Sequence, residues 1–120
     1  MNDGTKDRVS VSFPASPDFA RIGRVAVAGL ALRLGVDVAD VEKLRLAVDR
    51  SVEALRGPGR IRLDACWEPQ RLSISVDNPD RQLDDEGRRE VSEELATMVD
   101  EVSVGDSRIR LLIGAGDTER

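Results

Sequence analysis

Residues 61–76 have the sequence IRLDACWEPQRLSISV, and this stretch decides the fold. Apolar residues occupy every second position on both sides of Glu68-Pro69-Gln70, a tripeptide typical of a turn. An alternation of period two indicates strands with one buried face. The stretch therefore predicts a hairpin of two antiparallel strands, whose core-facing residues are Ile61, Leu63, Ala65, Trp67, Leu72, Ile74 and Val76.

The segment before the hairpin begins with a predicted strand and a predicted helix. Val9, Val11 and Phe13 alternate with polar residues up to Pro14, as in a half-buried strand. Ser16-Pro17-Asp18 is typical of a helix start, because serine caps the first turn and proline fits the first helical position. The inner stripe expected for this helix, which ends at Gly35, consists of Phe19, Ile22, Ala26, Gly29 and Leu30.

A second helix is predicted directly after the first. It ends at Gly57-Pro58-Gly59, since these residues break helices. Its apolar positions recur at helical spacing, which indicates one buried face. This inner stripe consists of Val41, Leu44, Val48, Ser51, Val52 and Leu55.

The segment after the hairpin predicts a third helix and two more strands. Asp77-Asn78-Pro79-Asp80 ends the second hairpin strand, and an acidic stretch leads into the helix. Strand patterns return at 102–104 and 109–113, joined by a tight turn at Gly105-Asp106-Ser107. The inner stripe expected for the third helix consists of Val91, Leu95, Met98, Val99 and Val102.

This order of elements predicts an α/β two-layer sandwich, with a mixed, mainly antiparallel sheet of about five strands and all three helices on one face. A chain of 120 residues can bury one hydrophobic core but not two. We therefore expect a single domain over 1–120 with an ordered core at about 9–113. The residues predicted to be buried between helices and sheet are Val48, Val52, Leu63, Ile74, Leu95 and Met98.

Composition and charge exclude several classes of function. The chain has no histidine and one cysteine, which excludes zinc sites, Cys/His nucleophile pairs and Ser-His-Asp triads. A formal net charge of -5 argues against nucleic-acid binding, which needs a basic face. Cys66, within an alternating run, is expected to be a buried structural thiol. Residues 1–8 lack a signal-peptide pattern and no apolar run could span a membrane, so we expect a cytoplasmic protein without membrane contact.

Several short strings resemble, in their order and spacing, the anti-sigma-factor serine kinase branch of the GHKL (Bergerat-fold) ATPase superfamily. Phe19-Ala20-Arg21-Ile22 opens the first helix as in that branch, and Leu46-Ala47-Val48 precedes the position of its catalytic residue. Met98-Val99-Asp100-Glu101-Val102 precedes a closing strand that begins Arg108-Ile109-Arg110-Leu111. The resemblance covers roughly residues 9–113 and implies the GHKL fold.

The resemblance implies that the second helix would carry a glutamate general base and, four residues later, a magnesium-binding asparagine. Arg50 and Ala54 occupy these positions. Arginine stays protonated and has no acceptor, and alanine offers no oxygen to a hard cation. We therefore expect no catalytic residue, no metal site and no cofactor. Arg50 is interpreted as solvated or ion-paired beside Asp49 and Glu53, or else as filling the vacated pocket.

Asp77 is the one nucleotide-binding residue that the resemblance retains, because it stands where the family's aspartate accepts a hydrogen bond from adenine. Its alternative interpretation is a turn former at the end of a strand. The lid that covers ATP shortens to Asp84-Asp85-Glu86, whose carboxylates would repel a triphosphate. The glycines that let the backbone approach the nucleotide, and those that free amides for phosphate, are replaced by Pro79, Arg81, Arg89 and Val91.

Arg21 and Phe19 stand where the resemblance implies contacts with a partner, although Arg21 also fits an ordinary exposed helix arginine. The leading hypothesis is a kinase-dead, anti-sigma-factor-like regulatory protein that acts by protein–protein binding in bacterial transcription control. Its expected partners are a sigma factor, a STAS-domain anti-anti-sigma protein or an active kinase relative, and a homodimer through the first helix and strand is implied. The alternatives are an ATP-binding serine/threonine kinase that phosphorylates a STAS-domain antagonist through a rearranged site, and a purely structural or enzyme-partner subunit.

Overall fold

Five strands and three helices follow one another in the predicted order in the computed structural model, which describes residues 8–68 and 71–114. None of the helices in these two ranges is both long and apolar enough to cross a membrane. The elements are β1 (Arg8–Pro14), a 3₁₀ turn (Pro17–Phe19), α1 (Ala20–Arg33), α2 (Val38–Ala54), β2 (Arg60–Glu68), β3 (Arg71–Asp77), α3 (Asp85–Leu95), β4 (Glu101–Val104) and β5 (Arg108–Gly114).

The strands form one five-stranded sheet in the order β1-β2-β3-β5-β4, and all of these pairings are antiparallel. The predicted hairpin is confirmed, with Leu63 opposite Val76 and Ala65 opposite Ile74. Pro69 and Gln70 of its predicted turn lie outside the described residues. The closing strands β4 and β5 are also joined as predicted, since the Gly105 amide donates to the Arg108 carbonyl at 2.7 Å.

The core lies between the three helices and one face of the sheet. Val48, Val52, Leu63, Ile74 and Leu95 are completely buried, which confirms them as core residues. Burying a side chain of this size stabilises the folded state by about 1.5 to 3 kcal/mol. The prediction for Met98 was too strong, because this side chain is half-buried at the margin of the core.

Both ends of α1 follow from local sequence. The Ser16 hydroxyl accepts a hydrogen bond from the Asp18 amide at 3.3 Å, and Pro17 starts a 3₁₀ turn that continues into the helix. At the other end, the Gly35 amide donates to the Leu32 carbonyl and the Val36 amide to the Ala31 carbonyl. This is the Schellman arrangement, and it requires the positive φ of 82° that Gly35 adopts.

The predicted inner stripe of α1 is wrong for most of its members. Phe19 and Ile22 are 41% and 45% exposed and Gly29 lies at the surface. The residues that α1 buries are Ala20, Gly23, Val27, Leu30 and Ala31. Helix α1 has apolar residues on two faces, and periodicity alone does not tell which of them meets the core. Gly23 favours the observed face, since a β-carbon there would lie 3.1 Å from a leucine of β2.

Two further predictions need correction. Helix α3 ends at Leu95, so Met98 and Val99 follow the helix, and Val102 belongs to β4. Cys66 is half-buried rather than part of the core. Cys66 lies opposite Ser73 on β3. Its neighbours Ala65 and Trp67 face the helices, so alternation along the strand places Cys66 on the other face of the sheet.

Candidate functional site

A groove of about 620 Å³ opens where the resemblance implies a nucleotide site. One wall is the C-terminal half of α2, and the other is α3 with the connection that precedes it. The loop from Arg56 to Pro58 closes one end. The groove is lined by Arg50, Glu53, Ala54, Arg56, Gly57, Pro58, Arg81, Leu83, Gly87, Glu90 and Val91.

Arg50 spans the groove instead of lying along its own helix. Its Nε donates to Glu94 Oε1 at 2.5 Å, which ties α2 to α3. The neighbouring carboxylates have other partners, since Asp49 accepts two bonds from Arg24, at 2.9 and 3.1 Å, and Glu53 pairs with Arg56. Arg50 is therefore ion-paired, as one interpretation of the sequence held, but with a residue 44 positions away.

A second cavity lies on the far side of the Arg50–Glu94 ion pair. It has a volume of about 430 Å³ and is bounded by the start of α1, by α2 and by the end of α3. Its walls include Pro17, Leu46 and Met98 as well as both residues of the ion pair. Arg50 thus lines both the groove and this second cavity.

The wall of the groove has no oxygen at the position that the resemblance assigns to a metal ligand. Ala54 is buried there and contributes only a methyl group. No group of three or more His, Cys, Asp or Glu residues that could hold a metal ion occurs among residues 8–68 and 71–114. A hard cation needs several oxygen ligands. Ala54 therefore supplies no side-chain oxygen to magnesium at this position.

Asp77 ends β3 and does not line the groove. It lies opposite Arg62 on one side and Arg108 on the other, and both arginines are exposed. The preceding residue, Val76, is completely buried and faces the helices. Since successive strand residues point to opposite faces, Asp77 lies on the outer face of the sheet.

Asn78, the next residue, is the polar side chain that faces inward. It is completely buried, and its Nδ2 donates to the Leu55 carbonyl at 2.9 Å and to the Pro58 carbonyl at 3.1 Å. Its Oδ1 accepts a bond from the Asp80 amide at 3.0 Å. The amide thus joins the end of α2 to the end of β3, and both its donor hydrogens are used within the fold.

The sequence did not lead to Asn78 as an inward-facing residue, because the alternating pattern of β3 was ended at Val76. Continuing the period of two from Leu72 through Ile74 and Val76 places residue 78 on the inner face. The neighbouring loop, which contains Gly59, packs closely against Asn78. Gly59 has a φ of +88°, and a β-carbon there would lie 3.1 Å from Oδ1 of the buried Asn78. This loop therefore needs a glycine at position 59.

The connection between β3 and α3, residues 78–84, is fastened at both ends. The Asn78 amide donates to the Ser107 carbonyl at 3.0 Å, and the Leu83 amide to the Asp106 carbonyl at 2.8 Å. The Ser107 hydroxyl donates to the Arg81 carbonyl at 2.6 Å. These bonds hold the connection against the turn between β4 and β5.

The N-terminus of α3 is occupied by its own cap. Asp84 Oδ1 accepts the Gly87 amide at 2.7 Å, so this carboxylate takes the place where a helix would offer amides to phosphate. Arg89 and Val91 lie further along, beyond the first turn of α3, with Arg89 exposed and Val91 buried. Arg89 and Val91 are therefore not at the helix N-terminus, where the resemblance implies glycines that free amides for phosphate.

Pro79 and Arg81 lie in the connection before α3. Pro79 is exposed, whereas Arg81 is half-buried and its side chain forms part of the groove wall. Arg81 Nη1 donates to the Gln82 carbonyl at 2.7 Å. A guanidinium at this point occupies space that a glycine would leave open.

A different surface is formed by the outer side of α1, called here the α1 face and consisting of Phe19, Ile22, Val25, Ala26, Gly29 and Leu32. Its large side chains are between 41% and 63% exposed. Nothing lies within 4 Å of the position that a β-carbon on Gly29 would take. Arg21 is exposed in the first turn, one turn before Val25 on the same side of the helix. The predicted partner residues Phe19 and Arg21 thus lie together at one end of an apolar surface.

Three helices on one face of a five-stranded antiparallel sheet form an α/β sandwich, which is consistent with a GHKL-like fold. The chain is similar to the serine-protein kinase RsbW of Listeria monocytogenes and of Listeria innocua, with 25% identity over 91 residues in each case. The match covers 70% of this chain and 58% of the relative, so the chain spans little more than half the length of these proteins. No family model matches the chain. The similarity supports a relationship with the GHKL-like kinases.

Proposed function

We propose that the chain is a kinase-dead, anti-sigma-factor-like regulatory protein that acts by protein–protein binding in bacterial transcription control, in the cytoplasm. Its partner is a sigma factor, a STAS-domain anti-anti-sigma protein or an active kinase relative. The mechanism is occlusion, in which the bound chain covers a surface that the partner needs elsewhere. Without phosphoryl transfer, partner concentration and affinity set the balance.

The observation that carries the proposal is the exposed α1 face. Apolar side chains that are half exposed on one side of a helix, and contiguous, mark an interaction surface in a protein of this size. Arg21 at the end of this face provides a guanidinium that can form paired hydrogen bonds with a carboxylate. An apolar centre with an arginine at its margin is the usual composition of a protein–protein binding site.

The groove supports the absence of a kinase reaction. Arg50 stands at the position of the general base and is bound to Glu94, Ala54 offers no metal ligand, and the Asn78 amide is fully used within the fold. Each lost catalytic function commonly lowers a rate by a factor of roughly a hundred or more. ATP and magnesium therefore have no role in the proposed function.

A homodimer is part of the proposal. Strand β1 lies at one edge of the sheet, with β2 on one side and, among the described residues, no strand on the other. An unpaired edge strand can accept a second strand. Helix α1 follows β1 directly, so two copies related by a twofold axis could pair both their β1 edges and their α1 faces, and this pairing would compete with the partner for the α1 face.

The rival function is an ATP-binding serine/threonine kinase that phosphorylates a STAS-domain antagonist through a rearranged site. Two observations favour it, namely the 620 Å³ volume of the groove and the kinase name of the relatives. In that case Mg-ATP would have to displace the Arg50–Glu94 ion pair. Binding of Mg-ATP separates the two proposals.

The proposed function is tested by quantitative mass spectrometry of proteins that co-purify with the tagged chain from its native host. A Val25→Glu/Leu32→Glu variant, which places two charges on the α1 face, should lose the specific partner. An Ala96→Glu variant serves as the control, because Ala96 is exposed and follows α3. Loss of the partner in the control variant as well, or its retention in both, would contradict binding through the α1 face.

A further inference from the structure

The outer face of the sheet lies opposite the three helices, and its described side chains have a net charge opposite to that of the whole chain. The chain has a formal net charge of -5. Alternation along the strands decides which side chains lie on this face. Among the described side chains, the face has more arginines than carboxylates, and the carboxylates are Asp64, Asp77 and Glu101. The arginines are Arg8, Arg60, Arg62, Arg71, Arg108 and Arg110.

Two arginines of β5 form no ion pair with the described carboxylates. Within the described part of the chain, Arg108 and Arg110 of β5 are exposed and form no ion pair. By contrast, Arg62 pairs with Asp64 at 3.1 Å. Alternate residues of a strand lie about 7 Å apart on the same face. Arg108 and Arg110 therefore present two guanidinium groups at the spacing that alternate residues of an extended chain would match.

A shallow cavity of about 240 Å³ lies beside Arg110, over the pairing of β4 with β5. Leu112 supplies an apolar surface, Ser103 a hydroxyl, and Glu101 stands at the far side, where it pairs with Arg71 at 3.7 Å. This cavity can hold one side chain of a bound segment. The serines Ser73 and Ser75 on neighbouring β3 are small and leave the centre of the face flat.

We propose that this outer sheet face binds an extended acidic segment of another protein along β5. Alternate carboxylates of the segment pair with Arg108 and Arg110, and a neighbouring apolar side chain lies in the cavity over Leu112. Guanidinium groups bind carboxylates with paired hydrogen bonds, which gives such a site geometric selectivity. A nucleic acid fits less well, because Asp77 and Glu101 interrupt the arginines that would have to contact successive phosphates.

This surface is separate from the α1 face, because the two lie on opposite layers of the sandwich. One molecule could therefore hold two proteins at once, which goes beyond occlusion of a single partner. The two proposals fail independently. Changes on β5 leave the α1 face intact, and changes at Arg21 leave β5 intact.

The test measures fluorescence anisotropy of a labelled peptide in which glutamate alternates with serine, at low ionic strength, with the full chain. An Arg108→Gln/Arg110→Gln variant should bind this peptide about tenfold or more weakly than the unmodified chain. The matched control is Lys43→Gln/Arg45→Gln, which removes the same charge from exposed positions on α2 and should change affinity by less than about twofold. Amide chemical-shift changes should be confined to β4, β5 and their neighbours.

Three results would overturn this proposal. One is an equal loss of affinity in the α2 control variant, which would show attraction by overall charge alone. Another is equal binding of a peptide with glutamine in place of glutamate. The third is tighter binding of a single-stranded oligonucleotide than of the acidic peptide, which would assign the face to nucleic acid.

Discussion

Asp77 and Asn78 are adjacent in sequence, yet their surroundings differ completely. Asp77 lies on the outer sheet face between two exposed arginines, whereas Asn78 is buried and forms side-chain hydrogen bonds to Leu55, Pro58 and Asp80. A buried amide with all of these bonds satisfied fixes one arrangement of the chain around it. At the scale of single residues, the inward polar group at the end of β3 is therefore structural.

The first prediction concerns this pair of neighbours. Asn78→Ala leaves the carbonyls of Leu55 and Pro58 without their donor, so the free energy of unfolding should fall by about 2 to 4 kcal/mol. Asp77→Asn is the matched control and should change it by less than about 0.5 kcal/mol. Urea unfolding of both variants measures the difference. Equal midpoints for the two variants would contradict the assignment of the faces.

Arg21 is expected to act in binding and not in stability. Because it is exposed, Arg21→Ala should leave the free energy of unfolding within about 0.5 kcal/mol of the unmodified protein. The same change should weaken binding of the co-purifying partner by about 1 to 3 kcal/mol, measured by calorimetric titration. Arg21→Lys should restore only part of this loss, since lysine cannot form the paired hydrogen bonds. Full affinity in the alanine variant would place the binding surface elsewhere.

At the scale of elements, the sheet was predictable and the orientation of α1 was not. The hairpin of β2 and β3 combines strict alternation with a strong turn, so its register has only one solution that buries the apolar set. Helix α1 has two apolar faces, and the sequence does not say which one meets the sheet. Most of the face chosen for the core from the sequence is exposed in the structure, and Leu30 is its one buried member.

The register of the hairpin is tested at Ile74. This side chain is completely buried, and Ile74→Ala should lower the free energy of unfolding by about 2 to 5 kcal/mol, through lost burial and the cavity that remains. Ser75→Ala, the neighbour on the outer face, should change it by less than about 0.5 kcal/mol. Thermal and urea unfolding should agree. A larger effect at Ser75 than at Ile74 would mean that the two faces are exchanged.

The candidate site was predictable only where the chemistry depends on the residue type alone. Ala54 carries no oxygen wherever its side chain points, so its lack of a metal ligand follows from the sequence. The ion pair of Arg50 with Glu94 joins residues 44 positions apart, and its formation depends on how α2 packs against α3. Contacts of this kind come from tertiary packing, and no periodicity in the sequence indicates them.

At the scale of the whole molecule, the groove, the α1 face and the outer sheet face are three separate surfaces of one sandwich. The groove is bounded by α2 and α3 and by the fastened connection of residues 78–84. Restoring the expected residues with Arg50→Glu and Ala54→Asn should not restore ATP binding, because Arg81 still forms part of the groove wall and Asp84 still caps the N-terminus of α3. The new glutamate would face Glu94, and like charges at this distance repel each other.

The measurement that tests the central claim most directly is a calorimetric titration of the unmodified protein with Mg-ATP. A protein that works by binding other proteins, with Arg50 and Glu94 bridging its groove, should give no heat of binding and no shift in melting temperature at ATP concentrations that saturate an active kinase. A dissociation constant in the micromolar range, with a rise of several degrees in melting temperature, would contradict the account and favour the kinase.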